Sequence, residues 1–252
     1  MDNIAIIIPA RYNSSRLNNK LLIKFNNKPV ILHTYEKVMQ SQYVKKENIF
    51  IFTDSNKIVN SMKNYCNNIY LTDEDCINGT DRISKNLNLI DDIFNIIVNI
   101  QADEPFIDSR NIDFAIKTHL NNNIIENIFY TTLHQKIDTD EYLNTQGCIC
   151  VQFNKQNEVM TYSRNILPAN KKGINTINNY NYFGFTGIYI YNRSLLKIYK
   201  DLEDTPYQIM EDIEQMKILE YGYKIKTYKC PYYNEISLNA PEDLEYLQKK
   251  YK

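Results

Sequence analysis

Short apolar runs alternate with helical periodicities along the first half of the chain. IAIII (4–8), NIFIFT (48–53), NNIYLT (67–72) and FNIIVNI (94–100) are rich in isoleucine and aromatic residues and predict β-strands. PVILHTYEKVMQSQ (29–42), SNKIVNSMKNYC (55–66), TDRISKNLNLI (80–90) and SRNIDFAIKTHL (109–120) carry apolar positions three and four apart and predict helices. That alternation implies βαβ units and a parallel sheet covered on both faces. In such sheets ligands bind beyond the carboxyl ends of the strands.

The second half is less regular. NIFYTTLH (127–134), GCICVQF (147–153), EVMTYSR (158–164) and YFGFTGIYIY (182–191) predict longer strands, with the polar loop KKGINTINNYN (171–181) before the last. RSLLKIYKDL and PYQIMEDIEQMKILEYG predict helices, the second with Ile209, Ile213, Met216 and Leu219 buried and Gly222 as its C-cap. KIKTYKC then predicts a strand and APEDLEYLQKK a terminal helix. The expectation is an α/β fold, a Rossmann-like mixed, mostly parallel sheet flanked by helices. Residues 1–252 form one domain in this reading, with about 135–190 as a smaller β-rich extension.

Composition narrows the function classes. A net charge of −1 argues against a sequence-independent nucleic-acid surface. No run approaches the ~20 apolar residues that span a bilayer, so the expectation is a soluble, cytoplasmic protein without membrane insertion. The five cysteines include no C-x-x-C pair, which disfavours a disulfide framework or a zinc site.

Polar sequences that suit chemistry follow the predicted strands. In PARYNSSRLNNK, Arg11, Arg16 and Lys20 crowd one turn after the first strand. Guanidinium forks and an ammonium suit a phosphate chain, and the Asn13-Ser14-Ser15 segment offers further donors. Asp103 and Glu104 end the FNIIVNI strand before Pro105, where a hard cation with phosphate oxygens would compensate their charge. In NGTDR, Gly79 permits close backbone approach, Thr80 is a reasonable N-cap and Arg82 can point into the same cleft. A basic loop and an acidic strand end on one sheet edge describe a nucleotide–Mg²⁺ site.

The ordered set PARYNSSRLNNK, NGTDR, NIQADEP, YSRNILP, FTGIYIY, EDIEQMKILEYGYKI and NAPEDLEYL resembles the CMP-Kdo synthetases, the 3-deoxy-manno-octulosonate cytidylyltransferases, over nearly the whole chain. The resemblance implies the nucleotide-diphospho-sugar transferase type of fold, with the β-rich extension serving dimerisation. It implies transfer of CMP from CTP to the sugar acid Kdo for lipopolysaccharide or capsule, by Mg²⁺-dependent homodimers. Arg11, Arg16, Lys20 and Asp103 would carry catalysis. Ala10, Ser14, Gly79, Arg82 and Gln101 would join the three cations around the nucleotide. Arg164, Phe185, Tyr189, Glu214 and Gln215 would face the sugar, and Asp103 and Asn239 the metal.

Three positions depart from the family's pattern. Asn239 stands where the family's C-terminal motif has a metal-binding aspartate, Phe185 where a sugar-facing histidine is usual, and Ala102 where glycine is common. The Phe185 change allows an amino- or deoxy-Kdo, or another ulosonic or nonulosonic acid, as acceptor. The Asn239 change keeps open a catalytically weak, nucleotide-binding relative. In the first loop Asn18-Asn19 replaces the family's usual Pro-Gly, and asparagine best tolerates a left-handed turn among non-glycine residues.

Overall fold

β1 (Ile4–Ala10) is buried along its whole length, and its side chains divide by the period of a strand. Ile4, Ile6 and Ile8 enter one hydrophobic cluster, while Ala5 and Ile7 enter the cluster on the opposite face. This strand lies at the centre of a computed structural model that describes residues 3–14, 17–122, 127–145, 148–233, 237–238, 243 and 245. A short hairpin of β2 (Lys24–Phe25) and β3 (Lys28–Pro29) precedes α1 (Val30–Val38). Then come β4 (Ile49–Thr53), α2 (Asn56–Met62), β5 (Ile69–Leu71), α3 (Gly79–Lys85), β6 (Ile96–Ile100) and α4 (Ser109–Asn122). Each expected strand and helix of this half is present with its ends shifted by a few residues, most of them shorter and β1 and α4 each two residues longer.

β7 (Ile128–Lys136), α5 (Asp140–Leu143), β8 (Cys150–Phe153), β9 (Val159–Ser163) and β10 (Phe183–Asn192) follow. α6 (Arg193–Tyr199), α7 (Pro206–Glu211), α8 (Glu214–Glu220) and β11 (Lys224–Lys229) complete the described elements. The main sheet runs β11-β7-β10-β6-β1-β4-β5, and β8 and β9 branch from β10. β1 pairs in parallel with β4 and β6, β4 with β5, and β11 with β7, whereas β10 is antiparallel to both its neighbours. The seven-strand path is therefore mixed and mostly parallel, flanked by helices, as expected, while the β8 and β9 branch is antiparallel. Among the described residues no helix is long and apolar enough to cross a membrane.

One expected helix is two. Asp212 adopts a left-handed conformation, φ 50° and ψ 50°, and separates α7 from α8. The cause is tertiary: Arg164 donates from Nε to the Glu211 carbonyl (2.5 Å) and from Nη2 to the Asp212 carbonyl (3.0 Å). Ile213 and Met216 are buried as expected, but the break leaves Ile209 66% exposed. Tyr221 is the C-cap of α8, and Gly222, φ 79°, expected as the cap, follows one position beyond it, with its N–H on the Leu219 carbonyl at 2.9 Å. The expected terminal helix lies almost wholly outside the described residues.

Candidate active site

The carboxyl ends of β1 and β6, the start of α3, the middle of β10 and the α7–α8 junction enclose one cleft of about 560 Å³. That size suits a small organic ligand. Its walls include Arg11, Ser14, Lys20, Gly79, Arg82, Gln101, Asp103, Arg164, Phe185, Tyr189, Glu214 and Gln215. Residues from six separate sequence stretches thus meet as expected. Ala10 does not reach the wall: it is fully buried at the end of β1. Arg16 and Asn239 lie outside the described residues.

The loop after β1 keeps its turn without glycine. Asn19 takes φ 54° and ψ 28°, and the single-turn helix Lys20–Leu22 starts from it. This orients Lys20 toward Asp103, whose carboxylate accepts from Lys20 Nζ. Asp103 is the carboxylate that faces the cation loop across the cleft. Among the described residues no cluster of three or more His, Cys, Asp or Glu forms a metal site. One carboxylate fits Mg²⁺, which retains waters and completes its shell with substrate phosphates.

Glu104, buried at the cleft wall, packs its carboxylate against Gly187 of β10. Its Oε1 accepts from Ser237 Oγ at 2.6 Å, and the Gly187 N–H also donates to its carboxylate. Burial, reinforced by the neighbouring Asp103, pushes its pKa up to about 8. A Cβ on Gly187 would stand 2.7 Å from Glu104 Oε1, so only glycine admits this carboxylate. β10 slips register against β7 between Phe185 and Tyr189, at this same point.

The opposite wall begins at α3. Asn78, rather than the expected Thr80, is its N-cap, accepting from the Asp81 N–H at 2.8 Å. Thr80 lies inside the helix, where its Oγ1 donates to Glu214 Oε1 (3.1 Å) and meets the Tyr191 hydroxyl (3.0 Å). Burial pushes the Glu214 pKa up to about 7. Gln215 donates to the same carboxylate at 3.3 Å. Gly79 packs against Gln101 and Pro9, each 3.0 Å from where a Cβ would be.

Arg82 lines the cleft, but its guanidinium turns into the protein. It donates to Thr72 Oγ1, to the Asp73 carbonyl (3.1 Å) and to Asp54 Oδ2 (2.9 Å). Arg164 similarly grips the α7–α8 junction. Phe185 lies edge-on to Tyr162, with ring centres 5.5 Å apart, and gives the cleft an aromatic patch beside Ile149. Sequence reasoning missed Asp54, Gly187 and Ser237. The available signal for Asp54 was its place immediately after a buried strand.

A cytidylyltransferase family model matches residues 5–225. The chain belongs to the cytidylyltransferase family. It is 34% identical over 255 residues to the 3-deoxy-manno-octulosonate cytidylyltransferase of Francisella tularensis, covering 99% of this chain and 98% of that protein. It is 31% identical over 243 residues to the mitochondrial enzyme of that name from Arabidopsis thaliana, covering 96% and 81%. A solved CMP:2-keto-3-deoxy-manno-octonic acid synthetase complexed with CTP matches with a TM-score of 0.84 at 26% identity, covering 98% of this chain and 97% of that one. The resemblance carried by the sequence motifs is therefore confirmed, and this cytidylyltransferase places its cation loop and Asp103 on one cleft.

Proposed function

We propose that this cytidylyltransferase transfers CMP from CTP to the anomeric hydroxyl of 3-deoxy-manno-octulosonate, or a close derivative, and releases pyrophosphate. The observation that carries the reading is the meeting of Arg11, Ser14 and Lys20 with Asp103 across one cleft. The hydroxyl oxygen bonds to the α-phosphorus in line as the bond to the β-phosphate oxygen breaks. Its electrons leave with pyrophosphate, and the hydroxyl proton passes to solvent. Arg11 and Lys20 bind the phosphates and offset charge on the leaving group. Asp103 would hold Mg²⁺, which when bound supplies positive charge to the phosphate oxygens. Gly79 and Gln101 shape the nucleotide side, while Phe185, Tyr189, Glu214 and Gln215 shape the acceptor side. Catalysis here rests on positioning and electrostatics, without a covalent enzyme intermediate.

The family resemblance supports a Mg²⁺-dependent homodimer acting in the cytoplasm on a path to lipopolysaccharide or capsule. Phe185 favours a second acceptor class, an amino- or deoxy-Kdo or another ulosonic or nonulosonic acid, because an aryl ring offers no hydrogen bond to a hydroxyl. Incubation with CTP, Mg²⁺ and a panel of sugar acids, with products identified by mass, tests both readings. CMP-Kdo and pyrophosphate are the expected products. CTP binding without a CMP-linked product from any acid would overturn the catalytic reading.

A further inference from the structure

Asp54 is in no motif that pointed to the cleft, and its side chain does not line it. It leaves the end of β4 beside the first loop because β1 and β4 end in register, with Pro9 opposite Phe52 and Ala10 opposite Thr53. Its two carboxylate oxygens hold different walls. Oδ1 accepts from the Tyr12 backbone N–H at 2.8 Å, between Arg11 and Ser14. Oδ2 accepts from Arg82 Nη2 at 2.9 Å, in an ion pair whose side chains are 9% and 2% exposed. Arg82 belongs to α3, the helix that begins with Gly79. An outer brace joins the same loop to α2, where Lys57 Nζ donates to the Tyr12 hydroxyl at 2.7 Å.

We infer that Asp54 is a positioning residue for nucleotide binding, fixing the backbone of the cation loop relative to the start of α3. This rests on the proposed use of CTP. The tie orders residues 11–14 before ligand arrives, so loop ordering is not charged against affinity. The Asp54 carboxylate is also the one acidic side chain among the described partners of the Arg82 guanidinium, whose other two acceptors are neutral oxygens.

A merely structural ion pair would lower stability and the active fraction, reducing apparent kcat for both substrates alike. A positioning role instead raises KM for CTP while leaving KM for the acceptor near its wild-type value. Asp54→Asn retains an acceptor for Tyr12 but loses the charge opposite Arg82, and Asp54→Ala loses both. The expected order of CTP KM is wild type, Asp54→Asn, Asp54→Ala, the last raised about tenfold or more by loss of a charge-assisted bond. Acceptor KM and kcat should stay within about threefold.

Hydrogen exchange at the Tyr12 amide of the free wild-type protein supplies a second reading that needs no variant to fold. Slow exchange is expected there, and fast exchange in Asp54→Ala. A folded Asp54→Ala protein with wild-type CTP KM would overturn the inference, as would a Tyr12 amide that exchanges in wild type at the rate of an unprotected loop. Wild-type protein that bound no CTP by calorimetry would overturn the underlying nucleotide reading, whatever the Tyr12 amide showed.

Discussion

Lys20 and Asp103 neutralise each other across the cleft, with side chains 14% and 20% exposed. In the proposed reading each would stand where the other's ligand comes: Lys20 beside the metal position and Asp103 beside the phosphates. On that reading Asp103 would hold Mg²⁺ alone only by releasing Lys20, whereas with CTP bound the phosphates would take Lys20 over. Mn²⁺, a spectroscopic substitute for Mg²⁺, should therefore bind the free protein weakly and bind much better with CTP present. Lys20→Met should tighten Mn²⁺ binding without nucleotide by about tenfold while weakening CTP. Asp103→Asn should lower turnover at least about a hundredfold. Paramagnetic titration checks the metal, and an unchanged Mn²⁺ affinity in Lys20→Met would mean that the pair does not gate it.

The legible part of this site is the part written locally. Arg11, Ser14, Lys20 and Asp103 sit in loops directly after strands whose apolar runs announce them, so topology alone brings them together. The left-handed Asn19 was legible for the same reason, since the turn preference belongs to the residue itself. Asp54 was not, because its role exists only through the register of β4 on β1 and the arrival of Arg82 from another element. Nor was the break at Asp212. Ile209, Ile213 and Met216 keep a helical period across it, and only Arg164, from the end of β9, draws the Glu211 and Asp212 carbonyls away. Thr80 looked like an N-cap because it opens a helix, but Asn78 lies two residues earlier and takes the role. That leaves the Thr80 hydroxyl for Glu214.

Glu214 makes stability depend on pH. Burial raises its carboxyl from 4.5 to about 7, so in this range the folded protein holds a proton that the unfolded chain has released. Its stabilising effect is complete below about pH 4.5 and lost as pH rises through 7. Glu214→Gln removes the titration and retains an oxygen for Thr80. The variant should gain stability relative to wild type as pH rises, by about 2 kcal/mol at pH 8 after allowance for solvent in the cleft. Thermal unfolding of both proteins at pH 5.5 and 8 reads this directly. A gap that stays constant, or narrows toward alkaline pH, would contradict the assigned burial.

Gly187 admits the Glu104 carboxylate, and adding one methyl group tests that contact. In Gly187→Ala the new Cβ would meet Glu104 Oε1 at 2.7 Å, its Cγ at 2.8 Å and Gln101 Cβ at 3.0 Å. Both neighbours belong to the turn that carries Asp103, so relief of the clash moves the turn or β10. The cost should be about 1–3 kcal/mol, seen as a Tm lower by several degrees. Turnover should fall by more than that loss of stability explains, because Asp103 moves with its neighbours. Wild-type Tm and activity together would show that Glu104 rearranges freely and does not brace the turn.

On the proposed acceptor side, Phe185 tests what the cleft selects. The ring packs against Tyr162 and lies tilted to Tyr189 at 6.3 Å, so the wall it forms is apolar where the family usually presents an imidazole. A pocket that hydrogen-bonds a hydroxyl strongly rejects an analogue lacking it, whereas an apolar pocket discriminates weakly between the two. The wild-type protein should therefore accept deoxy or amino analogues of Kdo at rates close to Kdo itself. Phe185→His should restore the polar contact and shift the ratio of kcat/KM values toward Kdo by about tenfold. Competition between Kdo and each analogue, followed by mass of the CMP-linked products, measures the ratio in one reaction. If the ratio is the same in both proteins, acceptor choice is set elsewhere on the wall, and Glu214 with its Gln215 and Thr80 partners becomes the next group to vary.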